Sequence, residues 1–326
     1  MNTSNLLILE SLAQALSSGQ PCALVTLVAA EGSSPRPVGS QMLVKANGDR
    51  LGVISSGCIE AAITEQALAA LTLGEARLLR YGIGSPWIDL QLPCGAGIDV
   101  HIAVDHNMPL VESTLEQLSK RQAVSWTLEP QSLKWLAQDE QTSANWTELQ
   151  YTPQRQLMIA GRGPALASLA AIAYQCEIAV DCYSPEAEDL SAAKPFSRNA
   201  YQLAHPGDFS CPSLDRWSGA VLLFHDHDWE PKILSALLNT EAAYISALGS
   251  PTSHAARCEL LLEFGIKQQQ IQRIKGPAGL DIGARSPAEI ALSIVAEYVA
   301  ALSAAEASAN LENLSYLTQP VAVAAR

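Results

Sequence analysis

The stretch from Gln156 to Tyr183, QLMIAGRGPALASLAAIAYQCEIAVDCY, constrains the fold more than any other part of the chain. An apolar run meets a glycine turn, a segment with helical apolar spacing follows, and a second apolar run closes the unit. This rhythm predicts a strand–helix–strand unit of the length of half a dinucleotide-type domain. The pattern then repeats. GAVLLFHDHD reads as a buried strand with a polar tip, KILSALLN as a helix, AYISALGS as a strand, and SHAARCELLLEFG as a helix ending at Gly265. Strands alternating with helices imply a doubly wound parallel sheet. The last helix announces its start, because Ser286-Pro287-Ala288-Glu289 supplies an N-cap serine, a first-turn proline and a glutamate at N3. Ile290, Ile294 and Tyr298 then fall on one face.

The preceding half has a different rhythm. MNTSNLLILESLAQAL predicts an amphipathic first helix, and CALVTLVAA a buried strand. A loop, EGSSPRPVGS, leads to QMLVKANGDRLGVIS, in which Asn47-Gly48 has the composition of a two-residue hairpin turn with positive φ at both positions. IEAAITEQALAAL has helical spacing and stops at Gly74. ARLLRYG and IDVHIAVD read as strands flanking the loop LPCGAG, and Leu110 to Lys120 as a closing helix. AVSWTLE, LKWLA and WTELQYT suit short strands in a small bridging layer. The expected organisation is an α/β chain: an N-terminal α/β domain over residues 1–120, a bridging segment over 121–153, a C-terminal Rossmann-like domain over 154–302, and a weakly patterned tail over 303–326. A chain of 326 residues has room for about two such cores.

Composition narrows the function classes. A formal net charge of −13 argues against nucleic acid or an anionic membrane surface as partner. No Lys or Arg precedes Arg36, so the start lacks the basic region of a signal peptide. No apolar run approaches the roughly 18 residues of a membrane span. Seven cysteines, scattered and without a CxxC pair, indicate neither a disulfide framework nor a zinc site. A reducing cytoplasm is the expected compartment.

Four constellations carry chemistry. In Gly161-Arg162-Gly163-Pro164-Ala165-Leu166, the glycines Gly161 and Gly163 suit a tight turn against a pyrophosphate, and Asp181 lies about where a ribose-binding acid would. Leu166 replaces the third glycine, and Pro164 removes an amide donor. An NAD(P)-dependent oxidoreductase would use these residues with His225 or His227 as proton donor. The second constellation, Phe224-His225-Asp226-His227-Asp228, ends a predicted strand and so faces a ligand crevice, or is a solvated strand end whose Asp228 caps the next helix. The third, Gly276 to Ala284, sets three glycines, Gly279 among them, around Asp281. It is either a loop that approaches a ligand closely, with Asp281 as acceptor, or a turn docking the capped helix.

The fourth is spread over three N-terminal loops. Ser33, Ser34, Arg36 and Ser40 belong to the first, Gly57, Cys58 and Glu60 to the second, and Cys94 and Gly95 to the third. Hydroxyls, amides and a guanidinium suit oxo-anion oxygens. A cysteine just past a glycine at a helix start is open to two readings, a reactive group or soft-metal ligand, or a small residue packed in a turn. Cys22, Cys176 and Cys182 fall in predicted strands or helices and read as core, whereas Cys211 and Cys258 carry no signal.

Taken together, the strings EGSSPRPVGSQMLV, GCIEAAI, LPCGAGIDV, LLFHDHD, YISALGS and GPAGLDIGARSPAEIALSIVAE resemble the XdhC/CoxI family of accessory proteins that mature molybdenum hydroxylases. The resemblance implies an N-terminal family domain joined to a Rossmann-like domain, and a protein that is not an enzyme in the turnover sense. It implies binding of the molybdenum cofactor (molybdopterin), protection of it while a terminal sulfido ligand is installed, and delivery to an apo xanthine dehydrogenase-type hydroxylase. A cysteine desulfurase and that apo-enzyme are the implied partners, and a homodimer is expected because a two-domain crevice could be completed across a two-fold axis. Cys58 or Cys94 is the expected metal contact or sulfur relay, with Cys94 favoured by its flanking proline and glycine. The chain departs from the family where GRGPAL stands for a GAGHVA-like turn. It departs again after ALGS, where Pro251-Thr252-Ser253 stands for basic residues and only His254 and Arg257 lie nearby.

Overall fold

The computed structural model describes residues 5–34, 36–55, 57–85, 92, 95–129, 132–137, 147–224 and 228–314. They form two units, Met1–Pro153 and Gln154–Arg326.

In the first unit, helix α1 (Asn5–Ser17) buries Ile8, Leu9, Leu12 and Ala15, the spacing of one helical face. Strands β1 (Cys22–Glu31), β2 (Gln41–Lys45) and β3 (Arg50–Gly52), helix α2 (Glu60–Leu73), and strands β4 (Arg77–Gly82) and β5 (Gly97–Ala103) follow. The five strands lie in the order β3-β2-β1-β5-β4, every neighbouring pair antiparallel. β1 is buried from Cys22 to Val28 because it has a core on each side. Cys22, Leu24 and Val28 pack with α1, whereas Ala23, Val25 and Leu27 pack with Ile63, Ala67 and Ala70 of α2. Helix α3 (Met108–Ser119) starts at Asn107, whose side chain accepts the Leu110 N–H. Strands β6 (Val124–Glu129), β7 (Lys134–Ala137) and β8 (Thr147–Tyr151) then make an antiparallel sheet in the order β7-β6-β8. Trp126, Leu128, Leu149 and Tyr151 of this sheet share the α1 core.

The β2–β3 turn differs from the two-residue expectation. Only Gly48 has positive φ, at 87°, and Asn47 does not. Gly48 N–H donates to Lys45 O and Lys45 N–H to Asp49 O, both at 2.9 Å. Three residues therefore make the turn, with the glycine in the bulge position, and the Asn47 side chain accepts the Asp49 N–H.

The second unit runs β9 (Gln156–Gly161), α4 (Pro164–Gln175), β10 (Ala179–Ser184), α5 (Ala187–Ala193), β11 (Asn199–Gln202), β12 (Ser218–Leu223), α6 (Glu230–Leu237), β13 (Tyr244–Ala247), α7 (Pro251–Glu263), α8 (Gln268–Ile271), β14 (Ile274–Lys275) and α9 (Pro287–Leu314). Its six strands are parallel in the order β11-β10-β9-β12-β13-β14. Numbered within the unit this is 3-2-1-4-5-6, the dinucleotide-domain order, and the connections reverse between β9 and β12. Leu157, Ile159, Val221 and Leu223 face α4 and α9 on one side, and Met158, Ala160, Ala220 and Leu222 face α6 on the other.

The expected capping box is formed at α9: Glu289 accepts the N–H groups of Arg285 and Ser286 at 2.8 Å, and Ser286 accepts that of Glu289 at 3.2 Å. One expectation needs correction. Pro287–Ala305 of α9 is long and apolar enough, by length and composition, to cross a membrane. Ala291, Ile294, Tyr298 and Leu302 of that stretch are buried in the core of the second unit. Docking requires a glycine on β12, since a Cβ at Gly219 would lie 2.6 Å from the Tyr298 ring.

Candidate functional site

The antiparallel register gathers the N-terminal loops. Glu31 and Gly82 both pair with Gly97, Thr26 pairs with Gln41, and Met42 pairs with Gly52. The loops that follow Glu31 and Gly52 and the segment that precedes Gly97 therefore leave one end of one sheet. The first and third adjoin, for a Cβ on Gly32 would lie 3.6 Å from Ala96 Cα and Gly95 O. The Arg80 guanidinium braces this end by bonding Glu31, Asp99 (3.1 Å) and the Ile83 carbonyl (2.9 Å). A Cβ on Gly97 would lie 2.8 Å from the Ile83 carbonyl oxygen as well as against this guanidinium, and the backbone contact explains glycine there.

The SSGCIE loop is held from beneath by Glu60, the first residue of α2. Its buried carboxylate accepts the N–H groups of Ile54 (3.1 Å) and Ser55 (2.6 Å) and the Ser55 hydroxyl (2.7 Å), and the same hydroxyl accepts the Ile59 N–H (3.1 Å). Burial alone would raise the Glu60 pKa. The Ser55 bonds, with the further amides, outweigh it and hold the carboxyl below its usual range. Cys58 is exposed above this clamp, beside Gly57 with φ 108°.

The predicted anion ligands thus separate by environment. Ser33, Gly57, Cys58 and Gly95 are exposed at the shared end, and Ser34 and Arg36 are half-buried. The Ser34 hydroxyl donates to the Arg36 carbonyl at 2.7 Å, an internal bond that shapes the turn. Ser40 and Glu60 are buried and bonded within their own loops. A Cβ at Gly57 or Gly95 would meet nothing within 4 Å, although the Gly95 N–H itself donates to the Leu92 carbonyl at 2.9 Å, so the exposed groups at this sheet end are the Cys58 thiol, the Ser33 hydroxyl and the uncrowded backbone at Gly57. That set fits a phosphate-bearing pterin with a thiophilic metal. Cys94 lies outside the described residues.

In the second unit, β9, β12, β13 and β14 present their carboxyl ends side by side. Gly161 is required by packing, because its Cβ would lie 2.5 Å from that of Leu223. Gly163, φ 85°, is the N-cap of α4, and its N–H donates at 2.7 Å to the Asp189 carboxylate from α5. A carboxylate of the chain itself therefore occupies the position where a pyrophosphate would be held. Arg162 pairs with Glu186 at 3.3 Å and lies 5.4 Å from the centroid of the Trp229 ring. Leu166, at the third fingerprint position, is a core residue. Asp181 lies inside β10 rather than at its tip, and its carboxylate is bonded to Arg198 and Asn199. These residues do not fit a dinucleotide.

Beyond β13, Arg257 is no phosphate ligand. It is buried in a bidentate pair with Glu230, both bonds 2.8 Å, and donates to the Leu248 carbonyl at 2.6 Å. Sequence reasoning missed the contact between Cys258 Sγ and His254 Nε2, 3.6 Å apart on one face of α7; the i, i+4 spacing was the available signal. Gly279 is a docking residue: its N–H donates to Glu297 at 2.9 Å, and its Cβ would lie 2.3 Å from Ser293 Oγ. Asp281 beside it is exposed. His225, Asp226 and His227 lie outside the described residues. Among the described residues no group of three or more His, Cys, Asp or Glu could hold a metal ion.

Comparison with known proteins agrees with this architecture. Residues 15–82 match the XdhC and CoxI family, and residues 157–298 match the XdhC Rossmann domain. The molybdenum cofactor insertion chaperone PaoD of Escherichia coli is 32% identical over 294 residues, covering 89% of this chain and 86% of PaoD. A Bacillus subtilis protein described as a probable xanthine dehydrogenase subunit is 27% identical, covering 87% of this chain and 94% of the relative. A crystal structure from Bacillus halodurans, described as a xanthine dehydrogenase, superposes with a TM-score of 0.76 at 23% identity, over 93% of this chain and 96% of that one, a likeness that shows the fold alone. On the extent of these matches, the chain belongs to the XdhC and CoxI family.

Proposed function

We propose that this protein is a molybdenum cofactor insertion chaperone that holds the cofactor, supports its sulfuration and passes it to an apo hydroxylase of the xanthine dehydrogenase type. The observation that carries the reading is the exposed Cys58 on a loop fixed from below by the buried Glu60 carboxylate, at the same sheet end as Ser33 and Gly95. The cargo supplies a phosphate and a metal with oxo and sulfur ligands. The chain's share is custody: the Ser33 hydroxyl and the exposed backbone at Gly57 for anionic oxygens, and a thiol, Cys58 or Cys94, that would bind the metal lightly and be displaced. A cysteine desulfurase as sulfur donor, the apo-enzyme as recipient, a homodimer and a cytoplasmic site of action belong to the same reading.

The NAD(P)-dependent oxidoreductase reading is disfavoured by one contact, the Gly163 amide bonded to Asp189. Anaerobic purification followed by molybdenum and pterin analysis decides between them. Bound molybdenum and a fluorescent pterin are expected, with occupancy reduced at least tenfold in the Cys58→Ala, Cys94→Ala double variant. Bound nicotinamide, or unchanged occupancy and delivery in that variant, would overturn the proposal.

A further inference from the structure

The parallel sheet of the second unit ends at β11, the terminal strand in the order β11-β10-β9-β12-β13-β14. All four of its residues, Asn199–Gln202, are exposed. A terminal strand turns part of its backbone N–H and C=O groups outward, and the outer edge of β11 pairs with no strand among the described residues. The strand is held in shape from within. It pairs with β10 from Asp181↔Asn199 to Ser184↔Gln202, the Asn199 side chain donates to Asp181 at 2.8 Å, and the Tyr201 ring stacks on Tyr183 with centroids 4.7 Å apart.

A groove of about 620 Å³ separates this edge from helix α5. Its helix wall is Ala187, Leu190 and Ser191 of α5, with Lys194 in the turn that continues it, the spacing of one helical face. An edge strand flanked by a helix is the geometry in which an added strand gains main-chain bonds on one side and side-chain contacts on the other. The charges of the groove are unequal. Arg198 is neutralised by the Asp181 carboxylate, whereas Lys194 is exposed and its ammonium meets no carboxylate among the described residues. No acid lines the groove among the described residues, and two acids at the start of α5 are committed elsewhere, Glu186 to Arg162 and Asp189 to the Gly163 N–H.

We propose that this groove docks an extended segment of a partner protein, which adds to β11 as a seventh strand and sets an acidic side chain against Lys194. The groove shares no residue with the loops assigned to the cargo, so the inference stands apart from that assignment. Four residues of strand span about 13 Å, so a segment of roughly five residues covers the edge. Fluorescence anisotropy of the full chain with fluorescein-labelled Thr-Val-Glu-Val-Thr amide tests the site. Two control peptides accompany it, one with lysine in place of the glutamate and one methylated on its three central amide nitrogens. The acidic peptide is expected to bind, the lysine peptide about fivefold more weakly, and the methylated peptide not at all. Lys194→Glu should reverse the order of the acidic and lysine peptides. If that variant does not fold by circular dichroism, Ser191→Phe, which fills the groove from the exposed face of α5, is the deciding variant and should abolish binding. Failure of the acidic peptide to bind at millimolar concentration, equal binding of the methylated peptide, an unchanged order in folded Lys194→Glu, or wild-type affinity in folded Ser191→Phe would overturn the proposal. So would sedimentation showing that the acidic peptide splits a dimer, which assigns the edge to a second copy of the chain.

Discussion

Glu60 and Ser55 form a closed clamp: the carboxylate takes both the amide and the hydroxyl of Ser55, at 2.6 and 2.7 Å, beneath an exposed cysteine three residues along. A buried anion sits there so that a loop with a bare tip keeps one conformation.

Replacing Glu60 by alanine leaves the Ile54 and Ser55 amides buried without their acceptor. That should cost about 1–3 kcal/mol for each group left unsatisfied, read as a lower urea midpoint. The folded pKa of Glu60 is depressed, so its contribution is full above the ordinary glutamate value and is lost as pH falls through the folded pKa. Thermal unfolding of wild type and Glu60→Gln between pH 7 and pH 3 should therefore converge at the acid end and separate at neutrality.

The buried pair Glu230–Arg257, each side chain 2% exposed, predicts an asymmetric response. Removing either partner alone strands a charge and should destabilise by about 3–5 kcal/mol, whereas replacing both with apolar residues of similar volume should cost far less. Urea denaturation of Glu230→Leu, Arg257→Met and the double variant measures the difference.

Asp189 makes the start of α4 unreceptive to added anions by bonding the Gly163 N–H. Asp189→Ala should lower stability by about 1 kcal/mol and make the protein responsive to phosphate. In melting curves, millimolar phosphate should raise the variant's Tm more than that of wild type.

Gly219→Ala puts a methyl 2.6 Å from the Tyr298 ring, where β12 and α9 touch. Overpacking at this point should destabilise by about 1–3 kcal/mol and increase proteolysis within α9, which has Tyr298 and several leucines but no Lys or Arg, detectable by limited chymotrypsin digestion with mass spectrometry.

Much of this fold was legible in the sequence because its periodicities are strong. The alternation of strands and helices after Gln156 gives the parallel sheet, and Ser286 with Glu289 marks the start of α9. The loops themselves were legible too, since glycines and serines mark the segments that the antiparallel register brings to one sheet end. What could not be read were partners distant in sequence. No periodicity tells that Asp189 bonds Gly163, that Arg198 takes up Asp181, or that Arg257 turns inward to Glu230. The Asn47-Gly48 turn failed for a finer reason: the same dipeptide serves a two-residue and a three-residue hairpin, and only the pairing of Lys45 with Asp49 distinguishes them. Grooves are further still from sequence, because Lys194 and Ala200 line a common one only after α5 and β11 have both docked on the sheet.

The two-sided burial of β1 has a consequence for how the first unit comes apart. Odd-numbered and even-numbered residues of that strand feed opposite cores, so a slip of one position would empty both of their proper occupants at once. Neither layer can loosen while the other stays intact, and the unit should melt as a single cooperative block around its central ribbon.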